Sequence, residues 1–357
     1  MIQSKKILLD IKRPGYDDSK RINILRLEKN ERTTLFSKGE FDKILETITP
    51  FDLTAYGELE PLYQTVCNYL NINRSELLLT AGSDIGIKSI FETFITEGDE
   101  FINFFPNYAM FSVYGKMFGA REIVKNYNEY LKFDILDLIN SINYKTRLIV
   151  ISNPGHNGVL IPNTDLLLLL EKTKNTNCII LIDEAYIDFT NQTMIEYIKI
   201  YEHLLITRTL SKAFGLAAIR VGFLIGCKNL ISELYKVKAV HEVDGVASKI
   251  AKYLIENLSI KNKYLNSVKE GKNILYNFFR KMNIDSYPSD TNFVYFRLDK
   301  KINPNIVVNE LINHNIYIKG TIDIEPFKGY LRTTVGDKEQ MEILCKELEF
   351  ILIKLKK

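Results

Sequence analysis

Seven short β-rich runs, several of them almost wholly apolar, set apart by stretches long enough for a helix, leave few architectures open to this chain. The runs are Leu77–Thr80, Phe101–Phe104, Ile123–Lys125, Leu148–Ser152, Cys178–Asp183, Leu204–Thr209 and Gly222–Gly226. A strand with one wet face alternates apolar and polar residues; a strand covered on both faces does not. Between the runs, segments such as Asp84–Thr96 and Asp165–Thr173 carry apolar residues at helical spacing. Strand and helix alternate in this way when helices cover both faces of a sheet, so the pattern predicts an α/β fold with a mostly parallel or mixed sheet.

The rhythm changes near residue 229. From Leu230 to about Met282 the pattern is long and helical, followed by strand candidates Asn292–Leu298, Ile316–Lys319 and Tyr330–Val335, and a closing helix from Lys338 to Leu355. This predicts a large α/β domain over residues 41–240, a connecting helical region over 241–282 and a small α+β domain over 283–357. Residues 1–40 are expected to join the small domain as a lid.

Composition narrows the class. A chain of 357 residues, 46% hydrophobic and 25% charged, can bury a sizeable core. Lys and Arg number 47 against 44 acidic residues, with both signs interspersed, so nucleic acid is not an expected partner. Cys67, Cys178, Cys227 and Cys345 lie far apart with no metal-site spacing, which predicts free thiols in a reducing compartment and no metal. The opening residues lack the apolar core of a signal peptide, and the run Leu166–Leu170 is far too short to span a bilayer. A cytoplasmic protein with no membrane partner is expected.

The densest chemistry lies in CIILIDEAY, Cys178–Tyr186, and TRTLSKAFGLAAIRVG, Thr207–Gly222. Asp183 ends an apolar strand, at the sheet edge where open α/β folds bind ligands. Lys212 follows a second such strand in a turn with Thr209 and Ser211, and Arg220 comes soon after. Taken alone, an aspartate at a strand end is more often a cap, and a lone lysine is usually only solvated. Together they suit a phosphorylated aldehyde cofactor. The lysine links to the aldehyde, the hydroxyls and guanidinium hold the phosphate, and the acid keeps a ring nitrogen protonated.

These motifs resemble the fold-type-I, pyridoxal-5′-phosphate (PLP)-dependent aminotransferases of class I and II, in particular the histidinol-phosphate aminotransferase branch. LEKNE (Leu27–Glu31), LTAGSDIG (Leu79–Gly86), FPNY (Phe105–Tyr108), DEAY, RTLSKAFGLAAIRVGF and LRTTVG (Leu331–Gly336) appear in that branch's order. The resemblance implies PLP bound covalently to Lys212, which also moves the proton, with Asp183 at the ring nitrogen and Tyr186 at the ring's phenolic oxygen. It implies a phosphate cup from Gly82, Ser83, Asp84, Thr209, Ser211 and Arg220, and Tyr108 stacked on the ring. Tyr56, in LTAYGELEP, would serve the neighbouring subunit's phosphate site, which implies a homodimer. Arg332 would grip a substrate carboxylate or phosphate, with Tyr16 and Asn30 on a lid over that anion.

Three stretches depart from the branch. ISNPGHNG (Ile151–Gly158) puts Gly155 where relatives carry the asparagine that contacts the phenolic oxygen. Either that contact is lost, or Asn153, His156 or Asn157 supplies it; His156 can also simply point to solvent. VHEVDG (Val240–Gly245) replaces a Pro-Tyr-containing substrate loop, bringing His241 and Glu242 to the substrate mouth. IKG (Ile318–Gly320) has Lys319 where histidinol-phosphate enzymes tend to carry arginine, so the charge is kept and the two-pronged fork is lost. The resulting expectation is an aminotransferase using glutamate as donor and a small phosphorylated keto or amino compound, such as dihydroxyacetone phosphate and serinol phosphate. The alternatives are a threonine-phosphate or serine-phosphate decarboxylase-like activity and histidinol-phosphate transamination itself.

Overall fold

A computed structural model describes residues 6–9, 11, 21–128, 130–132, 134–321 and 325–356. Among them, all seven runs become strands of one sheet, the edge strand Arg121–Asn126 being the one with no fully buried residue. In spatial order these are Leu77–Thr80, Gly222–Gly226, Leu204–Thr209, Ile179–Asp183, Thr146–Ser152, Glu100–Phe105 and Arg121–Asn126. Only Gly222–Gly226 runs against the direction of the other six strands, so the sheet is mixed and mostly parallel. Successive residues alternate between two cores. Ile180, Ile182, Leu204 and Ile206 pack on one face, and Ile179, Leu181 and Leu205 on the other. Burial of each such side chain contributes roughly 2 kcal/mol, which is why an all-apolar run is stable only here.

The long helical stretch after residue 229 is three helices, Lys228–Tyr235, Gly245–Glu256 and Leu258–Met282. The break has a local cause: the Asp244 side chain accepts the Ala247 N–H at 2.7 Å and caps a new helix. Gly245 also lies against Gly57, where a Cβ built on Gly57 would come within 2.5 Å of the Gly245 Cα.

The small lobe holds an antiparallel sheet of Asp285–Ser286, Phe293–Arg297 and Tyr330–Thr334. Beside it Leu25–Leu27 pairs in parallel with Ile316–Ile318. The buried Leu27 joins Tyr264, Val268, Leu275 and Phe279 in the small-lobe core, so Leu25–Leu27 is anchored to that lobe, whereas Ile11 packs against the core of the large domain. A further cluster of Tyr186, Phe293, Tyr295, Phe327 and Tyr330 packs the end of the large sheet against the small lobe. No helix among the described residues is long and apolar enough to cross a membrane.

Candidate active site

Asp183 and Lys212 meet at the carboxyl end of the sheet because two parallel strands deliver them. Asp183 pairs in register with Thr207, whose hydroxyl donates to its Oδ1 at 2.8 Å. Burial pushes the Asp183 carboxyl up to about 6, against the Thr207 hydroxyl, the Ala185 N–H and Lys212. Among the described residues, no cation lies within ion-pair distance of it. Burial, reinforced by Arg332, lowers the Lys212 ammonium to about 8, so free amine is accessible near neutral pH. Its Nζ stands 5.6 Å from the centre of the Tyr186 ring.

The segment after Leu27 lies over this pair as a strap held by three successive carbonyls. Arg332 Nη2 donates to Glu28 O at 2.9 Å, Lys212 Nζ to Lys29 O at 3.3 Å and Asn292 Nδ2 to Asn30 O at 3.1 Å. Asn30 Nδ2 donates in turn to the Tyr186 hydroxyl at 3.0 Å, and its backbone N–H donates to Thr334 Oγ1 at 3.0 Å. Tyr16 lies outside the described residues.

The residues expected to form a phosphate cup converge on the first turn of the helix Gly82–Phe94. Its N-cap residue, Ala81, offers no side-chain oxygen, which leaves first-turn N–H groups for an anion. Arg220 sits in the left-handed region at φ 53°, and its Nη1 donates to Ser211 Oγ at 3.3 Å. Thr209 Oγ1 donates to the same Ser211 oxygen at 2.9 Å. Gly82, at φ 78°, lets the guanidinium approach, because a Cβ there would fall 2.5 Å from Arg220 Nη2. Gly222 does the same for the backbone, its Cβ position being 2.4 Å from Ser83 N. Gly82→Ala is therefore expected to destabilise the fold by about 1–3 kcal/mol and to weaken PLP retention. Thermal melting and cofactor dialysis of the variant measure the two effects.

Asp84 turns its carboxylate toward the tyrosines. Tyr108 OH and Tyr114 OH both donate to its Oδ1, at 3.1 and 3.0 Å, so only its backbone N–H is left for a phosphate. Burial, and then Asp84, hold the Tyr108 phenol well above its usual range.

The remodelled loop separates its three candidates. Asn153 is buried and exchanges hydrogen bonds with the backbone of Ile161, at 2.7 and 3.2 Å. Asn157 is buried too, donating to Leu131 O at 3.0 Å. Both amides are committed to backbone groups of neighbouring segments. His156 instead enters the site, its ring 6.1 Å from that of Tyr108 and 5.9 Å from that of Tyr186. The alternative of a solvent-directed His156 is thereby corrected.

Glu242 is placed differently from its expected role at the substrate mouth. Its Oε1 accepts the Ala81 N–H at 2.6 Å, and Lys238 lies 3.9 Å from its other oxygen, so it braces the phosphate-cup helix. His241 stacks on Tyr56 with ring centroids 3.9 Å apart, on the exposed surface. Lys319 exchanges both backbone hydrogen bonds with Arg332, at 2.9 and 3.1 Å.

The sequence reading missed Thr207, Asn292, Thr334 and Ser152, which hold Asp183, the strap and Asn107. Ser152 donates to Asn107 Oδ1 at 2.6 Å. Nothing in their type or spacing marks them; register and distant chain segments give them their partners.

The chain matches the family description "Aminotransferase class I and II" over residues 6–348. It belongs to that family. Histidinol-phosphate aminotransferase of Clostridium novyi is 30% identical over 321 residues, covering 88% of each chain. The structure superposes with TM-score 0.83 on histidinol-phosphate aminotransferase from Sinorhizobium meliloti in complex with pyridoxal-5′-phosphate, at 18% identity and covering 92% and 91% of the two chains. L-threonine-O-3-phosphate decarboxylase from Porphyromonas gingivalis superposes with TM-score 0.74 at 20% identity, covering 90% and 99%. This aminotransferase works with pyridoxal phosphate, and its site fits that group. An uncapped helix end beside Arg220 suits the phosphate, a buried aspartate without a cation suits a protonated ring nitrogen, and an amine lowered to about 8 suits the aldehyde.

Proposed function

We propose that this aminotransferase moves an amino group between glutamate and a small phosphorylated keto or amino compound, with dihydroxyacetone phosphate and serinol phosphate the first pair to test. The cationic end of the site carries the reading. Directly opposed residues of an antiparallel pair project from the same face, so Lys319 and Arg332 leave together. Tyr295 pairs with Arg332 on its other side and packs in the Tyr186 cluster, which turns that face toward Lys212. Arg332 Nε is shielded from solvent with no partner among the described residues, a donor open to an anion. Two adjacent cations favour a doubly charged phosphate over a single carboxylate. The relative named histidinol-phosphate aminotransferase supports a phosphorylated substrate.

Bound here, PLP supplies an aldehyde that condenses with amines and a ring that withdraws electrons from the adjoining carbon. Asp183 would hold a proton at the ring nitrogen, and Tyr186 would donate at the phenolic oxygen. Displaced by the substrate amine, Lys212 Nζ would take the proton from the substrate Cα and deliver it to the carbon across the same nitrogen. Arg332 would exchange the Glu28 carbonyl for the donor's carboxylate or the acceptor's phosphate, while the strap keeps water out.

The reading includes a homodimer. Tyr56 is 78% exposed in the single chain, near Phe51 at 66% and Leu53 at 73%, a surface suited to a second copy that would receive the tyrosine. A monomeric sedimentation profile for the active protein would sink that part.

The deciding experiment loads the protein with PLP, adds L-glutamate and identifies the cofactor by mass spectrometry before ketones are offered. Pyridoxamine phosphate should form, and a phosphorylated ketone should discharge it at least about 100-fold more efficiently than its unphosphorylated analogue. Arg332→Ala should erase most of that preference. Unchanged cofactor, with CO2 released from O-phosphoserine or O-phosphothreonine, overturns the reading in favour of decarboxylation. A strong preference for the imidazole-bearing ketone would return the chain to histidinol-phosphate chemistry.

A further inference from the structure

We propose that His156 donates a hydrogen bond from Nδ1 to the phenolic oxygen of bound PLP, and so sets the pH at which the lysine–cofactor linkage loses its proton. Of the polar side chains on residues 153–157, Asn153 and Asn157 are tied to backbone groups, and only His156 is uncommitted. The turn is built to present it. A Cβ on Gly155 would fall 2.3 Å from Asn157 Oδ1, so glycine lets Asn157 fold inward while the next ring out, His156, faces the site.

His156 meets Tyr108 nearly parallel, with 23° between the rings, and meets Tyr186 edge-on at 79°. It thus stands beside the two aromatic residues assigned to the cofactor ring. Its Nδ1 is shielded from solvent with no partner among the described residues. An orphaned buried nitrogen is costly, and a ligand oxygen would remove that cost.

The protonation state suits a donor that does not exchange charge with the reaction. Burial, with the cations Arg332 and Lys212 facing it, lowers the imidazole to about 3, so it stays neutral while Lys212 works. A neutral ring has one N–H and one lone pair. A neutral donor at the phenolic oxygen favours the form in which that oxygen bears its charge alone, which is the form left when the linkage proton departs. Losing the donor therefore keeps the proton on longer, and the midpoint rises.

The inference rests on the cofactor assignment and not on the substrate proposed above, and its test uses PLP-loaded protein with no substrate present. The visible absorbance of wild type, His156→Phe and His156→Gln would be titrated against pH, and PLP dissociation constants measured for each. The phenylalanine variant should titrate about one unit higher and hold PLP roughly 10-fold less tightly, and the glutamine variant should recover most of both. Matching midpoints and affinities in wild type and the phenylalanine variant would reduce His156 to packing and overturn the proposal. Should that variant fail to fold, labelled wild type decides the matter. With only 4 histidines in the chain, the Nδ1 resonance of His156 can be followed as PLP is added. A shift toward the hydrogen-bonded donor supports the assignment, and an unmoved resonance refutes it.

Discussion

Lys212→Ala is expected to lose all covalent attachment of PLP and about 10⁴-fold in turnover. In the proposed reaction the amine would both link the cofactor and move the proton, and no other lysine takes part in the sheet-end cluster with Asp183 and Tyr186 among the described residues. The proposed phosphate cup of Ser211, Arg220 and the first turn after Gly82 is untouched, so PLP should still bind without the link. Borohydride reduction and mass spectrometry read the outcome: wild type gains the mass of the reduced cofactor, and the variant does not. Lys212→Arg should fail equally, because a guanidinium keeps the charge and never becomes a free nucleophile. Attachment to wild type should speed up as pH rises toward about 8 and level off above it, following the free-amine fraction. A reducible adduct of full mass in Lys212→Ala would place the chemistry on another residue.

Asp183→Asn should separate stability from activity in opposite directions. Burial raises the folded-state carboxyl to about 6 from an ordinary 3.8. The uncharged acid therefore supports folding fully below about pH 4. That contribution fades as pH rises through about 6, above which the fold carries a buried charge. Asparagine keeps a hydrogen-bonding partner for Thr207 without that charge. The cofactor-free variant should then be more stable at pH 8 by on the order of 3 kcal/mol, and no more stable than wild type at pH 4. Activity should fall about 10³-fold, since a neutral amide cannot hold the proton on the ring nitrogen. PLP should raise the melting temperature of wild type more than that of the variant, because only the aspartate gains a cationic partner. Equal melting of the two apoproteins at pH 8 would show that Asp183 carries no charge penalty and would undercut its pairing with the ring.

Much of this molecule follows from patterns a few residues long. Two-sided burial makes each central strand apolar throughout, so the strands of the large sheet are legible as runs. The hydroxyl-rich turn around Lys212 and the acid ending Ile179–Asp183 are likewise local features. Helical periodicity fails only where a short polar device interrupts it, as Asp244 does by capping a new helix inside what reads as one long helical stretch.

The partners of polar side chains are a different kind of quantity. Glu242 reads as a substrate contact until folding brings it to Ala81, 161 residues away. Asn30 reaches Tyr186 across 156 residues, and Arg332 finds the Glu28 carbonyl across 304. Within ISNPGHNG, three side chains could equally serve the cofactor by composition, and only the path of the loop commits the two asparagines and leaves the histidine. Burial pattern is set by each segment's own residues, since apolar surface seeks any core. A hydrogen bond needs one particular atom at about 3 Å, and that atom is supplied by chain closure over hundreds of residues.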